Sequence, residues 1–203
     1  MSEHSPSPAE PGGKRGLVLA GVAVVAIAAI GAFFVLPAEF GIDPTGFGEK
    51  SGLTEIANPK AGEAMARAAR RTGVFTPSAA ALPAEPGARD HWTYELQPYE
   101  EIELKYVLNK GALMVFAWSA DGPLNVDMHA HPFEGGEALT ESYAVTKAER
   151  QSGRYVAAFS GIHGWHWQNR GLTPVRLTLD ASGQIKGSRL IDGRTERERA
   201  LTP

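Results

Sequence analysis

Two hydrophobic patterns of different period divide the chain. From Gly16 to Leu36 (GLVLAGVAVVAIAAIGAFFVL) 21 consecutive residues carry no charged or amide side chain. A helix of that length spans about 30 Å, the thickness of a bilayer's hydrocarbon core, and in lipid only intrahelical hydrogen bonds can satisfy its backbone. The pattern predicts a transmembrane helix over 16–36. It is too long for a secretory signal, and it ends on Phe33, Phe34, Val35 and Leu36 where a cleavage site needs small residues. Past about Asp90 the period becomes two: Ile102, Leu104, Tyr106 and Leu108 alternate with Glu101, Glu103, Lys105 and Val107. That alternation predicts a strand with one apolar and one largely charged face.

Further strands are expected at 91–96, 113–119, 124–131, 142–146, 154–159, 165–169, 175–179 and, more weakly, 184–191. They are separated by turn chemistry at Asn109-Lys110-Gly111, Asp121-Gly122-Pro123, Gly135-Gly136 and Ser182-Gly183. Eight or nine short strands with no helix between them predict a mainly β domain over 90–192, an antiparallel β-sandwich of jelly-roll type. Between the two patterns, residues 37–89 read as a stalk rich in Ala, Pro and Gly, with turns at Asp43-Pro44, Asn58-Pro59 and Pro86-Gly87 and a short helix over 60–72. Residues 1–15 read as a disordered cytoplasmic tail and 193–203 as a charged, frayed C-terminal tail.

Charge adds orientation. Lys14 and Arg15 abut the helix start, whereas Glu39, Asp43 and Glu49 follow its end, so the positive-inside rule leaves the N-terminus in the cytoplasm and the β domain outside it, in a bacterium the periplasm. A formal net charge of −3 with no basic block gives no pull towards nucleic acid. The absence of cysteine excludes disulfide scaffolds, thiol enzymes and cysteine-ligated metal clusters.

Histidine is the residue type that carries candidate chemistry. Asp127, His129 and His131 occupy positions i, i+2 and i+4 of a predicted strand and so share a face. His163 and His166 lie in HGWHW, a segment the fold could bring beside the first group. Two imidazole pairs and a carboxylate suit copper or zinc among other divalent metals, with Met114 and Met128 as thioether donors for Cu(I) if they lie close. The competing reading is half-buried histidines that merely stabilise loops. Trp165, Trp167 and Asn169 could form a binding surface, or be core. The string His129-x-His131-x-x-Glu134 with a later His166 and Asn169 is similar to the cupin metal motif, but the glycine spacing and the Pro-x-Gly turn of that family are missing. Glu100, Glu101 and Glu103 read as a solvated edge.

The Ser152–Tyr155 strand, HGWHWQNRG and the closing VRLTL strand resemble the end of GOLD-type β-sandwiches. More broadly the anchor, GIDPTGFG at 41–48, DMHAHP and HGWHWQNR resemble a group of bacterial transmembrane anchor proteins, a resemblance that implies topology and fold and no activity. Three functions follow as expectations. The first is a non-enzymatic, membrane-anchored binding module that accompanies an envelope or membrane protein. The second is a periplasmic copper or zinc handler using Asp127, His129, His131, His163 and His166. The third is a cupin-like metalloenzyme.

Overall fold

The structure is a computed structural model and describes residues 13–40, 42–56, 60–193 and 195–203. The expected disordered tail lies almost wholly outside these, as does the Asn58-Pro59 turn. The chain forms two compact units, Met1–Ala57 and Asn58–Pro203.

The first unit begins with helix α1 (Gly13–Ile30), which continues through a π-helical turn (Gly31–Val35) into α2 (Leu36–Phe40). Gly16–Phe40 is one apolar segment of 25 residues, long and apolar enough to cross a membrane. The π turn has a local cause. Pro37 has no N–H to donate and its ring crowds the carbonyl four residues back, and the Leu36 N–H just before it already bonds the Gly31 carbonyl, five residues back. The segment 42–48 (IDPTGFG) then folds back on the helix end. The Asp43 carboxylate accepts the Thr45 N–H (3.3 Å), and the Thr45 hydroxyl accepts the Phe47 N–H (3.1 Å) at the start of α3 (Phe47–Ser51). Phe47 thereby packs edge-on against Phe33 and Phe34, with ring centroids 5.8 and 5.5 Å away. A side chain at position 48 would collide with the Pro37 ring. A further short helix, α4 (Leu53–Ile56), follows.

The second unit is mainly antiparallel β, as the period-two pattern predicts. It takes in helix α5 (Lys60–Ala68) and strands β1 (Phe75–Ser78), β2 (Ala88–Leu96), β3 (Glu101–Leu108), β4 (Leu113–Pro132), β5 (Glu141–Val156), β6 (Gly161–Gln168), β7 (Val175–Gly183), β8 (Gly187–Asp192) and β9 (Thr195–Arg199). All nine strands belong to one sheet. Its organiser is β4, 20 residues long, whose two halves have different neighbours. Residues 114–120 pair with β7, residues 125–132 pair with β6, and β5 runs beside both halves. Beyond β7 lies β2; beyond β6 lie β3, β8 and β9.

The Asp121-Gly122-Pro123 turn signal therefore falls inside a strand. It marks the irregularity between Ser119 and Leu124 where β4 passes from one wing to the other, and the Asp121 carboxylate is used there by the Arg176 N–H (2.7 Å). The two wings share one core. Trp92 on β2 lies against Trp167 on β6 with the rings tilted, centroids 5.9 Å apart, and Trp118, Trp165, Tyr106, Leu104 and Leu179 belong to the same core. Each such fully buried large side chain contributes about 1.5–3 kcal/mol.

Two parts of the unit differ from the sequence reading. Residues 60–78, expected in the stalk, pack on the domain: β1 pairs with β5, and Arg71 of the segment after α5 forks onto Glu141 at 2.8 Å. The C-terminal tail is strand β9, paired with β8. Arg199 and the Thr202 N–H both reach buried Asp90, which also accepts the Tyr106 hydroxyl at 2.6 Å. Alternating Thr-Glu-Arg residues without an apolar face hide a strand from a hydrophobic-period reading.

Candidate metal site on the outer sheet face

The period-two rule sorts β3, β6 and β4 into an inner face and an outer face. Inward go Ile102, Leu104 and Tyr106, His163, Trp165 and Trp167, and Val126, Met128 and Ala130, nearly all fully buried. Outward go Glu101, Glu103 and Lys105, His166 and Gln168, and Asp127, His129 and His131. Register aligns the outward set in rows across three strands: Glu103, His166 and Asp127 in one, Lys105, Gly164 and His129 in the next. Gly164 is required at the centre. A Cβ there would fall on the Leu104 carbonyl oxygen, so the middle of the second row carries no side chain.

Across that gap the Lys105 ammonium reaches His129. Its Nζ lies 2.7 Å from His129 Nε2 and 3.1 Å from Glu103 Oε2, with the lysine wholly buried. Glu103, His129 and His131 each present one ligand atom, and these atoms lie within 4.8 Å of one another. A common point then lies within about 2.8 Å of all three (4.8 divided by √3), against bonds of about 2.0–2.2 Å around a zinc ion. Two imidazoles and one carboxylate are a sufficient protein ligand set for a zinc or related divalent ion.

The hydrogen bonds behind the two histidines fix their tautomers. The Thr140 hydroxyl donates its only proton to the Glu137 carbonyl (2.6 Å), so toward His131 Nδ1, 2.7 Å away, it can only accept. His131 thus carries its proton on Nδ1 and a lone pair on Nε2. His129 Nδ1 faces the Asp127 carbonyl oxygen at 3.2 Å, which is also an acceptor, and Nε2 accepts from Lys105. Imidazoles held through Nδ1–H with Nε2 unprotonated are in the form metals bind. The rings lie 4.9 Å apart, nearly perpendicular.

Electrostatics support the same states. Burial, and then the Lys105 charge, push His131 down to about 3, so it stays neutral. Burial is the largest single influence on Glu103 and works against its ionisation, but the Lys105 charge together with neighbouring His129 and His166 overcomes it and holds the carboxyl well below the ordinary range. For Lys105 itself burial lowers the pKa and the Glu103 carboxylate opposes that shift.

The expected ligand set is only partly brought together. Asp127, His129 and His131 share the outer face as expected, but Asp127 is used by neighbours, its Oδ2 accepting the Ser142 hydroxyl at 3.0 Å. His166 is on the same face, in the row of Glu103, but pairs with Glu101 of the next row at 3.4 Å. His163 faces the core, where its Nδ1 meets the Tyr155 hydroxyl at 2.8 Å. Residues three apart on a strand point to opposite faces, so His163 and His166 cannot act together. Met114 and Met128 are core residues, which removes the thioethers from the cluster. Trp165 and Trp167 are fully buried, and Asn169, also buried, donates to the Leu96, Gln97 and Thr173 carbonyls and accepts the Gly171 N–H. The expected binding surface is thus core and loop clasp. The interior that a cupin-like site would occupy is filled by these tryptophans, while His129 and His131 lie on the other face.

Sequence reading missed Glu103 and Lys105. Their alternation with apolar residues looked like a solvated edge, yet β3 is an inner strand, flanked by β6 and β8. No protein-family model matches the chain, and no curated protein matches it.

Proposed function

We propose that the chain is a single-pass, membrane-anchored binding module whose β unit holds a divalent transition metal, zinc foremost, outside the cytoplasm. The observation that carries the reading is the convergence of Glu103, His129 and His131 with both imidazoles fixed in the ligating tautomer. Metal sites are commonly built this way, with a partner behind each histidine that sets its orientation and basicity. Zinc is preferred to Cu(I) because the donors are imidazole and carboxylate and the methionines are buried elsewhere. The apolar segment Gly16–Phe40 supports the anchor, and Lys14 and Arg15 ahead of it support an extracytoplasmic β unit. The suggested kinship with bacterial transmembrane anchor proteins and GOLD-type sandwiches fits this topology.

The test is metal content of the full chain in detergent, without a histidine tag, after dialysis against zinc. Near-stoichiometric zinc is expected, lost in Glu103→Gln, His129→Ala and His131→Ala and kept in His166→Ala. A chain that binds no zinc at micromolar concentration overturns the reading. Topology is checked separately. The chain has no cysteine, so Leu172→Cys on an exposed loop should react with a membrane-impermeant thiol reagent in intact spheroplasts. Protection until lysis would reverse the orientation.

A further inference from the structure

The centre of the ligand cluster already holds a positive charge. Lys105 lies wholly buried with its ammonium against His129 Nε2 and Glu103 Oε2, two of the three groups that would bind the ion. An ammonium and a metal ion cannot both use the same lone pair on Nε2, and two cations at that separation repel strongly away from bulk water. A place for the displaced ammonium exists on the same face. Asp127 Oδ1 is buried and has no hydrogen-bond partner among the described residues, although its sister oxygen is used by Ser142. Asp127 lies one row from Lys105 across β6, at the Glu103–His166 level, and its charge already acts on the lysine. A buried carboxylate oxygen left without a donor is costly, so its orphaning calls for an explanation.

We propose that Lys105 is the site's resident occupant and its exchange partner: the ammonium holds Glu103 and His129 in place when no metal is bound, and on metal entry it shifts to Asp127 Oδ1. This deepens the zinc reading above and rests on it. Lys105 then sets the affinity of the site, keeping it weak enough to give up its ion, and Asp127 is a positioning residue that acts only through the lysine. The shift breaks no covalent bond and leaves the ammonium paired with a carboxylate at both ends.

The test is a double-mutant cycle on the full chain in detergent, with zinc titrated against a chromophoric chelator. Lys105→Met is expected to bind zinc more than about tenfold tighter than wild type, since a repelling charge is removed. Asp127→Asn is expected to bind several-fold more weakly, because the ammonium loses its alternative seat. The distinguishing result is the double variant, which should match Lys105→Met alone. Lys105→Met no tighter than wild type overturns the exchange while leaving the zinc site standing, and so does Asp127→Asn weakening the methionine variant as much as the wild type. If wild type and Lys105→Met both bind no zinc, the site reading itself falls and the exchange falls with it. Should Lys105→Met not fold, Lys105→Gln replaces it. Independently, the ammonium resonance of Lys105 in the 15N-lysine-labelled chain should move when zinc is added, and an unmoved resonance overturns the exchange.

Discussion

The Thr140 hydroxyl stands 2.7 Å from His131 Nδ1 and has already given its proton to the Glu137 carbonyl. A surface threonine in a short loop thereby decides which nitrogen of a histidine on another strand is free to bind. Arg67 of α5 steadies the same residue, its Nε donating to the Thr140 carbonyl at 2.7 Å. Thr140→Val removes the acceptor and should weaken zinc binding about 10- to 100-fold, the usual effect of losing an outer partner of a metal ligand. Thr140→Ser keeps the hydroxyl and should bind as wild type. Chelator competition on the three proteins measures this, and equal affinity of the valine variant would refute the tautomer argument.

Gly164→Ala should be severely destabilising. The added methyl meets a main-chain carbonyl of β3, which cannot yield without breaking the β3–β6 register. Overpacking of this kind costs about 1–3 kcal/mol, and the affected strands also carry Glu103 and Lys105. A thermal melt followed by circular dichroism reads the loss, and an unchanged midpoint would show that the strands can part there.

Acid should destabilise the metal-free protein. Burial lowers the His163 pKa to about 4 in the fold, whereas an unfolded histidine titrates near 6.5. Between those values the unfolded chain binds more protons, so the stability that His163 contributes is full above about pH 6.5 and is lost as pH falls towards 4. The size is at most about 3 kcal/mol. His131, lowered by burial to about 3, acts in the same direction. Urea midpoints measured from pH 7 to 4 should fall, and His163→Gln should flatten part of that slope.

Asp90→Ala should loosen the C-terminal strand. It leaves the Tyr106 hydroxyl, Arg199 and the Thr202 N–H without their shared acceptor in a buried setting. Removing one partner of a buried charged pair costs about 3–5 kcal/mol. Hydrogen exchange should rise first in 195–203 and in β8, and uniform protection would contradict the assignment.

Much of the architecture is legible in the sequence because it follows from period alone. The uncharged run after Arg15 needs a helix in lipid, and the alternation in Ile102–Leu108 needs a half-buried strand. The same rule places His129 and His131 side by side. What period cannot show is who lies next to whom. Glu103 and Lys105 belong with those histidines only because β6 pairs with both β3 and β4, with a glycine at the crossing row. Parity alone does separate His163 from His166, three residues apart, so that part of the ligand set was readable as unworkable. The register shift at Tyr143, where β5 carries one residue more than β4, and the β9 pairing rest on long-range contacts that no local pattern records.

Strand β2 is hydrogen-bonded to β7, and its His91 meets Asp180, 89 residues further along the chain. A polypeptide that emerges N-terminus first therefore presents Trp92, Leu96 and the apolar rows of β3 and β4 long before the wing that covers them exists. Closure of the sheet must wait for about residue 183. Non-local pairing of this kind folds slowly and leaves sticky strands uncovered meanwhile. The folded yield of this unit should depend on holding chaperones far more than its final stability suggests.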